Sequence, residues 1–236
     1  TISYPYEWSF TQLKDAALLT LDIQKQSLQK GILLKDVSAF NITFRNGRPI
    51  FIDTLSFEKY QDGSPWVAYK QFCQHFLAPL SLMSFNDIRL GCLLKNYIDG
   101  IPVDLTASLL NFKSYFKFGL LIHIHLHAKS QKKYNSTVGV NKIDSVNISK
   151  RRLIALIDNL QSTIKSLNWS AGGTEWDDYY SNNNNYNSES MLEKETMVES
   201  IISQVNPNTV WDLGANNGHF SRIAAKYSPN VVSWDI

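Results

Sequence analysis

Over residues 11–30 the apolar positions fall at a helical step. Leu13, Ala17, Leu21, Gln24 and Leu28 recur every three or four residues, and Gly31 follows as a natural stop. That spacing predicts an amphipathic helix. Two short β-like runs come next, residues 42–44 and 49–52. Between them lies Arg45-Asn46-Gly47-Arg48, whose Asn-Gly pair suits the positive φ values of a tight hairpin turn. Ser64-Pro65 has the form of a cap followed by proline at the first helical position. It predicts a helix from 66 to about 78, with mostly helical segments following to about 132. Residues 133–147 are polar and aperiodic and read as a linker.

Beyond the linker, Ser149 precedes a run that places Leu153, Leu156, Ile157, Leu160, Ile164 and Leu167 on one helical face. Residues 170–190, rich in Gly, Asn, Ser and Tyr, read as a loop. Ser190 and Glu193 form a capping box that opens a helix to about 205, where Asn206-Pro207 ends it. The period then changes. Residues 209–213 read as a buried strand, a glycine-bearing turn follows, 220–227 continue as a helix, and 231–234 form a second strand. Strand, turn, helix, strand is one crossover unit of an open parallel sheet.

Composition narrows the functional classes. With 23 basic and 21 acidic residues the net charge is +2, so no global field suits a nucleic-acid or anionic-membrane grip. Short basic stretches, 129–133 and 150–152, read as solvated helix faces. Two cysteines, Cys73 and Cys92, are too few for a disulfide framework or a zinc site, which suits a reduced cytoplasmic protein. The apolar runs are short of the ~20 residues of a membrane span. The chain opens on Thr1 and its last strand stops at Ile236, so it reads as a fragment truncated at both ends.

The candidate chemistry lies in Val210-Trp211-Asp212-Leu213-Gly214-Ala215-Asn216-Asn217-Gly218-His219-Phe220-Ser221. A strand that turns at once into a helix needs glycine where the backbone reverses, and a glycine leaves room for a ligand at the strand's carboxyl end. Gly214 and Gly218 supply these features. Asp212 stands just before the turn, where a carboxylate can accept loop amides or attract a cation. Asp235 ends the second strand, where an acid in nucleotide-binding sheets takes the ribose hydroxyls.

This pattern resembles the class I S-adenosylmethionine (SAM) dependent methyltransferases, whose first motif is acidic-x-Gly-x-x-x-Gly, here Asp212 to Gly218. Asn216 stands where dehydrogenases carry their middle glycine. The resemblance implies SAM as cofactor, with Gly214 to Gly218 (Ala215 and Asn216 among them) lining its methionine part, Asp235 holding its ribose, and Asp212 and Phe220 also in the cofactor set. Upstream, Thr174-Glu175-Trp176-Asp177-Asp178-Tyr179-Tyr180, Tyr186 and Lys194 resemble the lead-in of a bacterial, nodulation-protein-like methyltransferase family. Tyr180 and Lys194 join the cofactor set on that basis, since an aromatic face attracts the sulfonium cation. The methyl acceptor and any catalytic base are left open.

A second resemblance lies in the first half. Asp36, Asn41 and Asp53 follow the layout Asp-x-x-x-x-Asn, hairpin, Asp, similar to the catalytic and metal-binding segment of protein kinases and aminoglycoside phosphotransferases. Leu34-Lys35 replaces His-Arg before Asp36, and Thr54-Leu55 replaces Phe-Gly after Asp53. The implied module is kinase-C-lobe-like, serving regulation or substrate presentation. Phosphotransfer by Asp36, Asn41 and Asp53, or a non-catalytic scaffold, is the alternative function. His123, His125 and His127 would share a face on a strand and bind a metal there. Their context suits a helix, on which only His123 and His127 share a face.

The expected architecture is therefore α/β. A mostly helical, kinase-C-lobe-like module (1–132) leads through a linker (133–147) and a connecting helix and loop (148–190). The start of a Rossmann-like methyltransferase domain follows (191–236). With one β-α-β unit the fragment is expected to bind SAM weakly or not at all, and the complete protein well.

Overall fold

The computed structural model describes residues 3–136, 147–170 and 188–235. They divide into two units, Thr1–Trp169 and Ser170–Ile236. The first is mostly helical with small sheets, and the second mixes helices with a parallel strand pair, so the chain is broadly α/β.

In the first unit, α1 (Phe10–Gln29) starts on a capping box in which Ser9 accepts from Gln12 N–H and Gln12 reaches back to Ser9 N–H. Its inward stripe is the expected one. Gln24 belongs there because its buried side-chain carbonyl accepts the Leu34 N–H at 2.8 Å. β1 (Ile32–Leu34) pairs antiparallel with β4 (Phe57–Lys59), and β2 (Ile42–Arg45) with β3 (Arg48–Phe51). Asn46 (φ 52°) and Gly47 (φ 72°) form the hairpin turn that Asn-Gly favours.

The next helix starts later than its sequence suggests. Ser64 donates its hydroxyl to Gln61 C=O, Trp66 sends its indole N–H to Leu34 C=O, and α2 (Tyr69–Phe72) begins only beyond them. It continues through a π-helical stretch (Cys73–Leu77) into α3 (Ala78–Phe85). Pro79 has no N–H for the carbonyl four residues back, and the widened turn, with Ala78 N–H bonded to Cys73 C=O, accommodates that loss. Then come α4 (Leu93–Asn96), α5 (Val103–Leu109), a 3-10 turn (Phe112–Phe116) and α6 (Phe118–Leu120). A second π stretch (Leu121–Leu126) leads into α7 (His127–Ser136). Helical order thus enters the expected linker, of which residues 137–146 lie outside the described residues.

Ser149 caps α8 (Lys150–Ser166) as expected. This helix packs its Leu153, Ile157, Leu160 and Ile164 face into the core of the first unit, beside α1, rather than bridging between domains. Lys14 of α1 donates to the carbonyls of Lys165 (3.0 Å) and Leu167 (2.6 Å), placing a cation at the negative end of α8. Among the described residues no helix is long and apolar enough to cross a membrane.

In the second unit α9 (Ser188–Val205) begins two residues before the expected cap, so Ser190 lies inside its first turn. β5 (Thr209–Leu213) and β6 (Asn230–Trp234) are parallel, with Val210 opposite Val231 and Leu213 opposite Trp234. α10 (His219–Ala224) connects them and ends before the expected residue 227 in hydrogen-bonded turns. β5 is not the buried strand its sequence suggests: Trp211 and Leu213 are exposed. Among the described residues β5 pairs only with β6, and helix α10 buries Ser221, Ile223 and Ala224 instead.

Candidate functional site

Because β5 and β6 run parallel, Leu213 and Trp234 end at the same edge, and the loop 214–218 and Asp235 meet there. Three successive amides of the loop turn toward the end of β6. Gly214 N–H and Ala215 N–H both reach Trp234 C=O, at 2.9 and 3.0 Å, and Asn216 N–H donates to the Asp235 carboxylate. Gly214 (φ 76°), Asn216 (φ 49°) and Gly218 (φ 74°) take the left-handed conformation needed to fold the loop this tightly. Gly218 N–H closes it on Ala215 C=O at 2.8 Å. Among the described residues a Cβ at Gly214 would meet nothing within 4 Å, so these leave the space above it open.

Asp212 does not face the loop amides. Its carboxylate accepts the Ser221 hydroxyl at 2.5 Å, and Ser221 in turn accepts from Ser233 at 2.7 Å. The first carboxylate of the motif thus braces β5, α10 and β6 from below, and the second latches the loop. Phe220 carries Lys194 of α9 over its ring, with the ammonium 4.8 Å from the centroid. Two residues expected from widely separated positions are thereby brought together. Next to them His219 Nε2 lies 2.9 Å from Glu195 Oε1. Tyr180, the remaining expected cofactor residue, lies outside the described residues, as do Thr174 to Tyr179 and Tyr186.

Ser221, Ser233 and Glu195 were not legible as site residues. The signal for Ser233 is a hydroxyl inside an otherwise apolar strand, and for Ser221 its place on the first turn of α10, facing back to β5. Glu195 gives no sequence signal, because its partner His219 is distant along the chain.

In the first unit the kinase-like set divides into two networks. Asp53 accepts the Ser56 hydroxyl at 2.6 Å and Leu55 N–H at 2.9 Å, and Asn41 Nδ2 donates to the same Ser56 oxygen at 3.1 Å. These bonds hold the Asp53 carboxyl below the usual carboxylate range, the Ser56 bond most of all. Asp36 is engaged elsewhere: its Oδ1 accepts Ser38 N–H and Gln71 Nε2, while Gln71 Oε1 accepts Val37 N–H. Asn41 and Asp53 therefore meet on one buried hydroxyl, and Asp36 serves a separate loop brace.

The histidines lie on the helix that their context suggests, where His123 and His127 share Tyr69 and His125 has separate partners. His123 lies between Tyr69 Oη (2.7 Å at Nδ1) and Asn159 Oδ1 (2.8 Å at Nε2). Since Asn159 Oδ1 can only accept, Nε2 carries the proton and Tyr69 donates to Nδ1. His125 Nε2 meets Ser114, and its ring stacks on Tyr115. His127 stacks on Tyr69 and meets Gln131. Burial lowers the pKa of all three imidazoles. Among the described residues no group of three or more His, Cys, Asp or Glu side chains is placed to hold a metal ion.

Comparison with known proteins gives one relative with a name and no fold. No family model matches the chain, and no solved structure matches it. It is 38 % identical over 225 residues to nodulation protein NoeA of Rhizobium meliloti (strain 1021), a match covering 94 % of this chain and 47 % of the relative. The chain is thus similar to NoeA along nearly all of its own length, and spans about half the length of that curated relative.

Proposed function

We propose that the second unit is the cofactor-binding start of a Rossmann-like, SAM-dependent methyltransferase acting on an unidentified nucleophile, and that the first is a kinase-C-lobe-like module attached to it. The observation that carries the reading is the joining of the loop 214–218 to Asp235 at the carboxyl edge of a parallel strand pair, with open space over Gly214. Ligands of open α/β sheets bind at that edge. The residues present fit the cofactor. An aspartate accepts only, and its two oxygens match a ribose diol. A loop without a Cβ at Gly214 lets a ligand approach the backbone, and the Phe220 face suits a cation.

SAM held by Asp235 and the loop 214–218 would supply an electrophilic methyl group for transfer to the acceptor's lone pair. The protein's part is alignment. Asp235 fixes one end of the cofactor, the glycine loop fixes the other, and the Asp212–Ser221–Ser233 chain keeps the two strands and the helix in register.

Calorimetric titration of the full-length protein with SAM tests this. Binding is expected, and Asp235→Ala should weaken it about tenfold or more, the worth of a charge-assisted hydrogen-bond pair. Heat with Mg·ATP and none with SAM would overturn the reading and move the chemistry to Asp36, Asn41 and Asp53.

A further inference from the structure

The 3-10 turn of the first unit carries apolar surface that the described residues of its unit leave uncovered. Phe112, Phe116 and Phe118 are 73, 77 and 67 % exposed. Phe112 and Phe116 touch edge to face at 5.3 Å, and Phe112 lies 5.8 Å from Tyr115, so Phe112, Tyr115 and Phe116 form one cluster, with Phe118 two residues on. The turn itself is firmly anchored. Asn111 accepts Lys113 N–H on its side chain, Ser114 is buried on Asn111 C=O and His125, and Tyr115 stacks on His125 at 3.7 Å. Rings standing out from a rigid turn do not collapse back onto their own protein.

Within the turn itself the charge is of one sign. Lys113 and Lys117 are exposed between the phenylalanines, and Lys129 is exposed four residues beyond His125. Between Asp104 and Asp144 the sequence holds six lysines, at 113, 117, 129, 132, 133 and 142, and no acidic residue. In a chain nearly neutral overall, the exposed run from Phe112 to Phe118 thus carries two lysines and no acidic residue. Aromatic rings favour the headgroup level of a bilayer, and lysine stems extend along apolar surface while the ammonium stays with the headgroups. Stable attachment takes two such signals together, an apolar insert and a basic patch.

We propose that the Phe112–Phe116 turn, with Phe118 and the lysines around it, is a docking surface for an anionic lipid bilayer. The rings insert to headgroup depth and Lys113, Lys117 and Lys129 face the lipid phosphates. This goes beyond the methyltransferase reading and does not depend on it. A protein partner would need an acidic groove shaped to take three projecting rings. A fluid anionic interface accepts them without such complementarity.

The test is co-sedimentation of the full-length protein with vesicles of phosphatidylcholine alone and of phosphatidylcholine mixed with phosphatidylglycerol. Binding to the mixed vesicles only, falling as salt rises, is expected. The combined variant Phe112→Ser, Phe116→Ser, Phe118→Ser should abolish it. Replacing Lys113, Lys117 and Lys129 by Gln should weaken it by roughly fivefold per lysine. Circular dichroism checks that both variants fold, and the salt dependence of the unaltered protein stands whatever the variants do. Failure to bind anionic vesicles, equal binding to neutral ones, or binding untouched by both variants would overturn the proposal. So would self-association that the serine variant disperses in a protein that ignores vesicles.

Discussion

A Cβ built on Gly119, in the first unit, would lie 1.8 Å from Thr163 Oγ1 and 2.8 Å from Thr163 Cβ; one built on Gly214, in the second, would meet nothing within 4 Å among the described residues. At Gly119 the missing side chain is what lets α6 press against α8, and a neighbour already fills its place. At Gly214 the backbone needs the left-handed conformation, and the place of the side chain stays open at a strand edge. Two glycines equally prominent in a sequence therefore mean different things. One is consumed by packing, and the other leaves room for a ligand.

The aspartates divide the same way. Both oxygens of Asp53 are taken within three residues of it, by Ser56 and Leu55, which makes it a turn cap. Asp235 accepts from Asn216, 19 residues away in sequence, and so ties together two elements that frame one edge.

The sharpest way to break the comparison is Gly119→Ala. Neither the Cβ nor the Oγ1 of Thr163 can retreat far, since its hydroxyl is also bonded to Asn159 C=O at 2.8 Å. Overpacking of this kind costs about 3 kcal/mol. Urea denaturation should show the midpoint of the first unit falling sharply. An unchanged midpoint would mean that α6 and α8 are not packed as closely as they are here.

The buried histidines make the next largest difference. Burial pushes the His75 imidazole down to about 4, against the opposing pull of Asp36 and Asp99. The folded state therefore keeps His75 neutral while the unfolded chain takes up a proton below the ordinary histidine value. Its contribution is complete above about pH 6.5 and is lost as pH falls toward 4, up to about 3 kcal/mol in all. The pKa values of His123, His125 and His127 shift in the same direction. Denaturation midpoints at about pH 7 and about pH 4.5 should differ widely in the unaltered protein, and His75→Gln should narrow the gap. A gap of the same size in the variant would place the acid sensitivity elsewhere.

Gly214→Ala probes the other side. With space around the Cβ, only the φ of 76° opposes the alanine, worth about 1–2 kcal/mol. Stability should fall less than in Gly119→Ala, while SAM titration loses most of its heat. A variant that binds SAM as well as the parent would show that the open space over Gly214 is not where the cofactor lies.

Much of this was legible from periodicity. The α1 stripe, the Asn-Gly hairpin, the Ser149 cap and the strand-loop-helix-strand order each follow from local rules that tertiary packing left unchanged. The failures have a common cause. The helix after Ser64-Pro65 starts late because Trp66 has a distant partner in Leu34, and α8 joins the first unit because its apolar face finds α1. Exposed Trp211 and Leu213 show the reverse, an apolar strand pattern without a covering layer among the described residues. At the site, Asp212, Gly214, Gly218 and Asp235 were legible, and what was not is that the Asp212 carboxylate accepts the Ser221 hydroxyl.

The smallest expected effect sharpens the aspartate half of the comparison. Ser56 is buried, and its hydroxyl is the one atom shared by Asp53 and Asn41. Ser56→Ala removes that link and costs about 1 kcal/mol, the net worth of an ordinary buried hydrogen bond. It also removes the main cause of the lowered Asp53 pKa, so NMR titration should show that carboxyl moving back up toward its ordinary value. A turn cap behaves in just this way, because its charge is stabilised by the hydroxyl and by one backbone amide. Were Asp53 poised instead to share a cation with Asn41, losing Ser56 would free both side chains to converge, and added Mg²⁺ would then depress the same titration. An Asp53 titration that rises in Ser56→Ala and ignores Mg²⁺ assigns this aspartate to the fold.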